Sequence, residues 1–372
     1  MKVTRHFPFV LLRHTTLLEL VRVFSSVPIL LMGVAANATP HLTSAASGEP
    51  IPHPASTNTY PVTNGTRIVQ VPATMVYIPG GKLTVGTGVN ATNVDLAEYC
   101  IGKFHVCNAE YKAFLDATGS SAYPSYWTNG VYPAGKANHP VVYISLTKAL
   151  AYAAWVSQQT GWKVGLPSGY QWEKAARGPQ GYIYPWGDDP GTTYHDGALT
   201  TKFNYNAVIA ALCLARQPKL PVVYNHQKSK YCGTKTTVDQ IAAYDSAGTP
   251  TFLSVNANGS VRGWVNHSTY TGFIYTDLFA SLNASGGNTT PVGAYEAGKS
   301  AYGCYDMAGN VWNWCTSTIV ASNGAEKGQT VNEIRGGSWY ANGTSCRSIS
   351  IGEGRQANGA YNTVGFRVVM LP

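Results

Sequence analysis

Seven cysteines could carry chemistry in this chain, Cys100, Cys107, Cys213, Cys232, Cys304, Cys315 and Cys346, and their spacing limits which kind. No C-x-x-C pair occurs, so neither a zinc knuckle nor a thioredoxin-type site is expected. Seven is odd: in an exported chain up to three disulfides would leave one thiol over, with connectivity open. Chemistry that needs a pair of thiols would require two of them to converge in one loop. The C-terminal stretch from Glu333 to Val369, strand-like at both ends and small and polar between, offers a single one, Cys346. Other chemistry is scarce. No Gly-x-Ser-x-Gly elbow occurs, and "SAASGEP" and "GTGVN" lack the lysine of a phosphate-binding loop. The acidic pair Asp188-Asp189 is expected to cap a turn or face solvent rather than to act as acid and base.

Several elements must position these residues. "MVYIPGGKLTVGT", Met75 to Thr87, predicts a hairpin about Pro-Gly-Gly. Ile101, Phe104 and Val106 suggest a strand, after which Asn108 is expected to cap a helix with Tyr111, Phe114 and Leu115 on one face, stopped by Gly119. A second helix begins at Ser145 and buries Leu146, Ala149, Leu150, Ala153 and Val156 before the stop at Gly161. A third opens on the capping box Ser168 and Gln171 and turns Trp172, Ala175 and Ala176 inward. Val208 to Ala215 and Val238 to Ala243 are weaker helix candidates, and Asn-Ala-Asn-Gly after Val255 signals a hairpin turn.

Residues 1–38 have the layout of a secretory signal: Lys2, Arg5, Arg13 and Arg22 precede an apolar run, Val23 to Ala36, that ends in Ala36-Asn37-Ala38. The run is shorter than the roughly 20 residues a spanning helix needs and contains Pro28, so no stable membrane span is expected after cleavage. A secreted, periplasmic or cell-surface location follows. Removal of the four basic residues and Glu19 lowers the formal charge from +8 to +5, and the remaining Lys and Arg form no basic stripe, so no nucleic-acid partner is expected. Residues 39–73, rich in Pro, Thr, Ser and Ala, read as a flexible linker. Residues 74–372 read as one domain, with an elaborated insertion at about 190–289. Charged residues make up only 12% of the chain, which suits a loop-rich exported protein with little helix.

"MVYIPGGKLTVGT", "IGKFHVCNAEYKAFLDATG", "HPVVYISLTKALAYAAWVSQQTG", "GLPSGYQWEKAARG", "YPWGDD", "TPVGAYEAGKSAYGCYDMAGNVWNW" and "RGGSWYANGTSCRS…NTVGFRVV" occur in an order that resembles the sulfatase-modifying factor family, including the formylglycine-generating enzymes. The resemblance implies an α+β fold, irregular and related to C-type lectins, with low regular secondary structure. It also implies a structural calcium on Asp306, Gly309, Val311 and Asn313, although Asn313 stands where the family has glutamate. Asn204 and Tyr205 match part of a second calcium site. The family's copper is held by two cysteines five positions apart. Laid on Gly336-Gly337-Ser338-Trp339, the second falls on Cys346 and the first on Ala341. Ser338 and Trp312 match pocket positions, whereas Asn342 and Ser345 replace a histidine and a tyrosine. Cys315 is the alternative partner for Cys346 in space. Related iron-dependent sulfoxide synthases need a histidine cluster, and the nine histidines here show no H-x-H or H-x-x-x-H spacing.

A side chain ending in a methyl group cannot hold copper, so catalysis of the family type is expected to fail, and Cys346 would be catalytic only if the site were rebuilt. The loop between Trp339 and Gly365, rich in Tyr, Asn, Ser, Thr, Gly and Arg, has the composition of an adaptable recognition surface. Tyr340, Asn342, Ser345, Arg347, Glu353, Arg355 and Tyr361 are its candidate contacts for a protein, peptide or glycan ligand. Two rival expectations are an oxidase with an altered metal site and a structural protein of an envelope or virion.

Overall fold

A computed structural model describes residues 58–65, 67–86, 91–195, 198–205, 208, 237–244, 250–256, 261–264, 282–322, 326–352 and 354–371. The signal-like segment, Glu353 and the candidate helix beyond Val208 lie outside the described residues.

Strands β1 (Thr59–Asn64) and β2 (Arg67–Pro72) pair antiparallel, and Val69 and Val71 enter the core. The linker expectation for 39–73 is therefore corrected over 59–72: alternate valines give one face of a strand something to bury, and Arg67 anchors the turn on Glu98 at 2.5 Å. Next come β3 (Met75–Ile78), β4 (Gly81–Val85), β5 (Thr92–Leu96) and β6 (Tyr99–Gly102). The predicted hairpin of β3 with β4 does not form, because β3 pairs with β6 and β4 with β5. Pro79-Gly80 turns the chain out of one sheet into another, and local turn chemistry cannot distinguish that from a hairpin.

Helix α1 (Asn108–Thr118) buries Tyr111, Phe114 and Leu115, and Phe114 and Leu115 each contribute about 1.5–3 kcal/mol by leaving water. Its cap is Cys107 rather than Asn108. Glu110 Oε2 accepts the Cys107 N–H at 2.8 Å, which frees Asn108 to donate to the carbonyls of Lys136 and His139. Helix α2 (Leu146–Thr160) starts on the Ser145 cap, as the sequence indicates, and buries Leu146, Ala149, Tyr152, Ala153 and Val156. Leu150 is 41% exposed and Tyr152 takes the inward position assigned to it. Aromatic packing decides this, since Tyr152 contacts Tyr111, Phe114, Trp155 and Phe366. After β7 (Lys163–Gly165), α3 (Gly169–Arg177) carries the expected Ser168/Gln171 capping box and buries Trp172, Ala175 and Ala176.

Strands β8 (Thr193–His195) and β9 (Ala198–Thr200) pair with each other, and β10 (Thr237–Tyr244), β11 (Pro250–Asn256) and β12 (Val261–Trp264) form a sheet in that order. Val238 to Ala243 is thus strand, not helix; Val238 and Ile241, with Tyr244 at the end of β10, suit a pleated surface. The expected β11–β12 hairpin forms, with its turn outside the described residues. Strands β13 (Trp312–Val320), β14 (Thr330–Arg335), β15 (Val364–Gly365) and β16 (Val369–Leu371) complete the chain. β16 inserts between β6 and β7 to give the order β3-β6-β16-β7, while β13 lies between β14 and β15. The fold is α+β, with α1 to α3 accompanied by a one-turn 3-10 helix at Glu296–Gly298, and the described residues all fall within the unit Thr43–Pro372. None of these helices is long and apolar enough to cross a membrane.

Candidate functional site

The turn "YDMAGN" before β13 needs a backbone that most residues resist. Asp306, Gly309 and Asn310 take φ of 53°, 74° and 62°. A Cβ on Gly309 would lie 2.1 Å from the Asn204 carbonyl, so the tight approach excludes any other residue. Asn310 then joins three segments: its N–H donates to Asn204 O at 2.7 Å, its Oδ1 accepts from Thr290 N, and its carbonyl accepts from Trp339 N. Trp339 is buried beneath the C-terminal loop, with Nε1 donating to Asn362 O at 3.1 Å.

Arg367 enters the same turn fully buried. It donates to Asn313 Oδ1 (3.0 Å), Gly102 O (3.0 Å), Tyr305 O (2.9 Å) and Asp306 O (3.3 Å). Asp306 Oδ2 accepts from Gly293 N at 2.7 Å; burial raises its carboxyl to about 6, opposed by that bond and by Arg367. These contacts test the calcium expectation for Asp306, Gly309, Val311 and Asn313. An ion there would share Asn313 Oδ1 with a buried guanidinium, with the single carboxylate of Asp306 against two cations. The amide at Asn313 suits Arg367, which competes with a cation for that oxygen. At the second set, Asn204 Nδ2 donates to Asn288 O at 2.7 Å while Oδ1 is buried without a partner; the Tyr205 carbonyl accepts from Val208 N. That orphaned oxygen is what a cation would satisfy, although the other ligands would come from residues outside those described.

Cys346 is completely buried and unpaired, and burial pushes its thiol up to about 12, opposed by the backbone at Ser338 and Gly309. A Cβ on Gly337 would sit 2.2 Å from its sulfur. Ala341 adds only apolar contact to the core. Cys315 packs with Trp172, Cys304 and Met307 in a separate apolar cluster, its Sγ 3.8 Å from Asn313 O, while Cys346 belongs to the cluster of Trp314 and Trp339. A thiol closed in by glycine backbone, with a methyl group at the expected partner position, does not fit Cu(I). All five described cysteines are buried and free.

The candidate loop residues are placed unevenly. Ser338 is buried, its Oγ accepting from Tyr340 N at 3.3 Å, and Trp312 is half-buried against the core. Tyr340, Asn342, Ser345, Arg347, Arg355 and Tyr361 are all partly exposed. Asn342 Oδ1 accepts from Ser345 N at 2.9 Å, closing a turn, and Arg355 lies over the Tyr361 ring at 5.3 Å. Asp188 and Asp189 cap turns as expected, accepting from Ile183 N (3.0 Å) and Gly191 N (2.6 Å).

Sequence reasoning missed three features. Arg367 lay in a quoted motif, but nothing marked it as fully buried. Lys136 Nζ, His139 Nδ1 and Thr289 Oγ1 meet within 3.3 Å, joining segments 150 residues apart; burial lowers Lys136 to about 8 and His139 to about 3, the latter also through Lys136. His105, Thr74 and Glu110 line a small cavity, in which both His105 ring nitrogens and Thr74 Oγ1 lack partners. Burial and the nearby Arg367 hold His105 well below the usual histidine range, opposed by the Val311 backbone, which lies near the ring without forming a full hydrogen bond.

The sequence profile of the sulfatase-modifying factor enzyme 1-like domain matches residues 62–219 and 259–371. The chain belongs to this family. Among its relatives, the formylglycine-generating enzyme of Thermomonospora curvata is 23% identical over 341 residues, covering 74% of this chain and 86% of that enzyme. The inactive C-alpha-formylglycine-generating enzyme 2 of Mus musculus is 25% identical over 345 residues, covering 79% and 84%. YfmG of Bacillus subtilis is 29% identical over 169 residues, a match spanning 37% of this chain and only 32% of that protein. Active and inactive relatives are thus comparably similar, and the residues at the metal positions must discriminate.

Proposed function

We propose that this chain is an exported, non-catalytic member of the sulfatase-modifying factor family that binds a protein, peptide or glycan through its C-terminal loop. One observation carries the reading: Ala341 stands at the first copper position, and the only thiol of the loop, Cys346, is fully buried with its proton held to about 12. Cu(I) binding needs thiolate donors that can converge, and neither requirement is met. The partly exposed Tyr340, Asn342, Ser345, Arg347, Arg355 and Tyr361 stand on a base fixed by Trp339, Asn310 and Ser338, which supports recognition by side chains held on a rigid scaffold. The signal-like N-terminal segment supports export. Cu(I) titration followed by native mass spectrometry, with oxygen uptake on a cysteine-containing peptide, tests the reading. No stoichiometric copper and no uptake are expected; one bound Cu(I) with turnover would establish the oxidase instead.

A further inference from the structure

Arginine side chains in this fold find oxygen acceptors. Arg67 pairs with Glu98, Arg177 and Arg335 share Glu173, Arg355 donates to the Gly354 carbonyl at 2.7 Å, and Arg367 reaches the carbonyls described above. Among the arginines with described side chains, Arg347 is the exception. It has no carboxylate or carbonyl partner among the described residues; its side chain meets the Tyr184 hydroxyl, and its Nε is buried without an acceptor. The next residue, Ser348, is completely buried and its Oγ also lacks a partner. A buried donor without an acceptor costs about 1–3 kcal/mol, and more when it is charged, so stability alone does not account for this placement.

Water at the exposed end of the side chain would leave the charge unmatched. A second cation lies close by: Lys202 Nζ sits 5.7 Å over the ring of Trp186, which stacks on Tyr184 at 5.5 Å. Lys202 likewise forms no ion pair among the described residues. The carboxylates of Asp188 and Asp189 are turned to the N–H groups of Ile183 and Gly191 and pair with neither cation. Arg347 and Lys202 thus flank the Tyr184–Trp186 ring pair without an ion pair among the described residues.

We propose that Arg347 is a carboxylate receptor within the recognition loop: its terminal N–H groups bind the two oxygens of a ligand carboxylate, and Lys202 adds attraction from beyond Trp186. A planar carboxylate matches the guanidinium edge with two parallel hydrogen bonds, as a lysine cannot. The inference rests on the loop being the recognition surface. Both an acidic peptide and a uronic-acid glycan carry this group.

The test uses the 15N-labelled full chain, titrated at constant ionic strength with acetate, a capped glutamyl peptide, glucuronate and sulfate, while arginine Nε–H resonances are followed. Acetate should shift the Arg347 signal saturably, and Arg347→Lys, which keeps the charge, should weaken acetate binding at least tenfold as read from the neighbouring backbone amides. Tighter binding of the peptide or of glucuronate than of acetate supports the proposal and assigns the source. Equal linear shifts at all exposed arginines, binding retained in Arg347→Lys, tighter sulfate binding, or no gain over acetate from either larger ligand would overturn it. A peptide and glycan array separates this failure from failure of the loop reading. A captured ligand bound equally by Arg347→Lys but lost in Tyr340→Ala leaves the loop reading intact and removes the carboxylate receptor. Capture unaffected by changes at Tyr340, Arg355 and Tyr361 removes the loop reading itself.

Discussion

Around α3 the chain buries four charges and matches each: Glu173 meets Arg177 at 3.1 Å and Arg335 at 3.2 Å, and Arg335 also meets Glu333. Around the start of α1 and the C-terminal loop it leaves ionisable groups without opposite partners among the described residues, Glu110 in one and Arg347 in the other. The first region fixes β14 to α3 and so holds the loop that follows Arg335. Unmatched polar groups of the second kind accumulate where a fold is shaped by something other than stability.

The largest expected effect comes from breaking the matched network. Arg335→Met leaves two buried carboxylates with one cation between them and should lower the unfolding free energy in urea by about 3–5 kcal/mol. Loss of under about 1 kcal/mol would show that the network contributes little. Glu110 sharpens the contrast through pH. Burial raises its carboxyl from the ordinary carboxylate range to about 7, opposed by its bonds with Cys107, so the native state holds a proton that the unfolded state releases earlier. Stability should therefore fall as pH rises from about 4.5 to 7 and level off above, by up to about 3 kcal/mol. Glu110→Gln, whose amide oxygen can still accept the Cys107 N–H, should flatten that slope; an unchanged pH profile would place the titration elsewhere. The smallest effect is expected at Arg347, where Arg347→Gln removes no carboxylate or carbonyl bond and should leave stability within about 0.5 kcal/mol. A loss several times larger would make it a structural arginine of the Arg335 kind.

Local rules served where local forces decide. Ser145 and Ser168 cap their helices because a hydroxyl and an exposed N–H lie within one turn, and Gly119 and Gly161 end theirs at φ of 64° and 71°. They failed where a distant partner decides. Met75 to Ile78 pairs with Tyr99 to Gly102 rather than with its neighbour, Asn108 gives up its cap to hold His139, and Tyr152 displaces Leu150 because Phe366 meets it from the far end of the chain. Arg367 bears on the calcium expectation in the same way. The acceptors at Asp306 and Asn313 are visible in sequence, but the guanidinium that takes them arrives from Arg367.

By itself the sequence determined the family, the helix caps and stops, and the absence of a second loop thiol, since motif order, capping and residue identity need no distant contact. Tertiary structure alone decided that Cys346 is sealed beneath Gly337, that Arg367 takes the amide of Asn313, and that Arg347 has no carboxylate or carbonyl partner among the described residues. Burial and charge pairing are properties of neighbours in space, and in this fold those neighbours come from segments up to 265 residues apart.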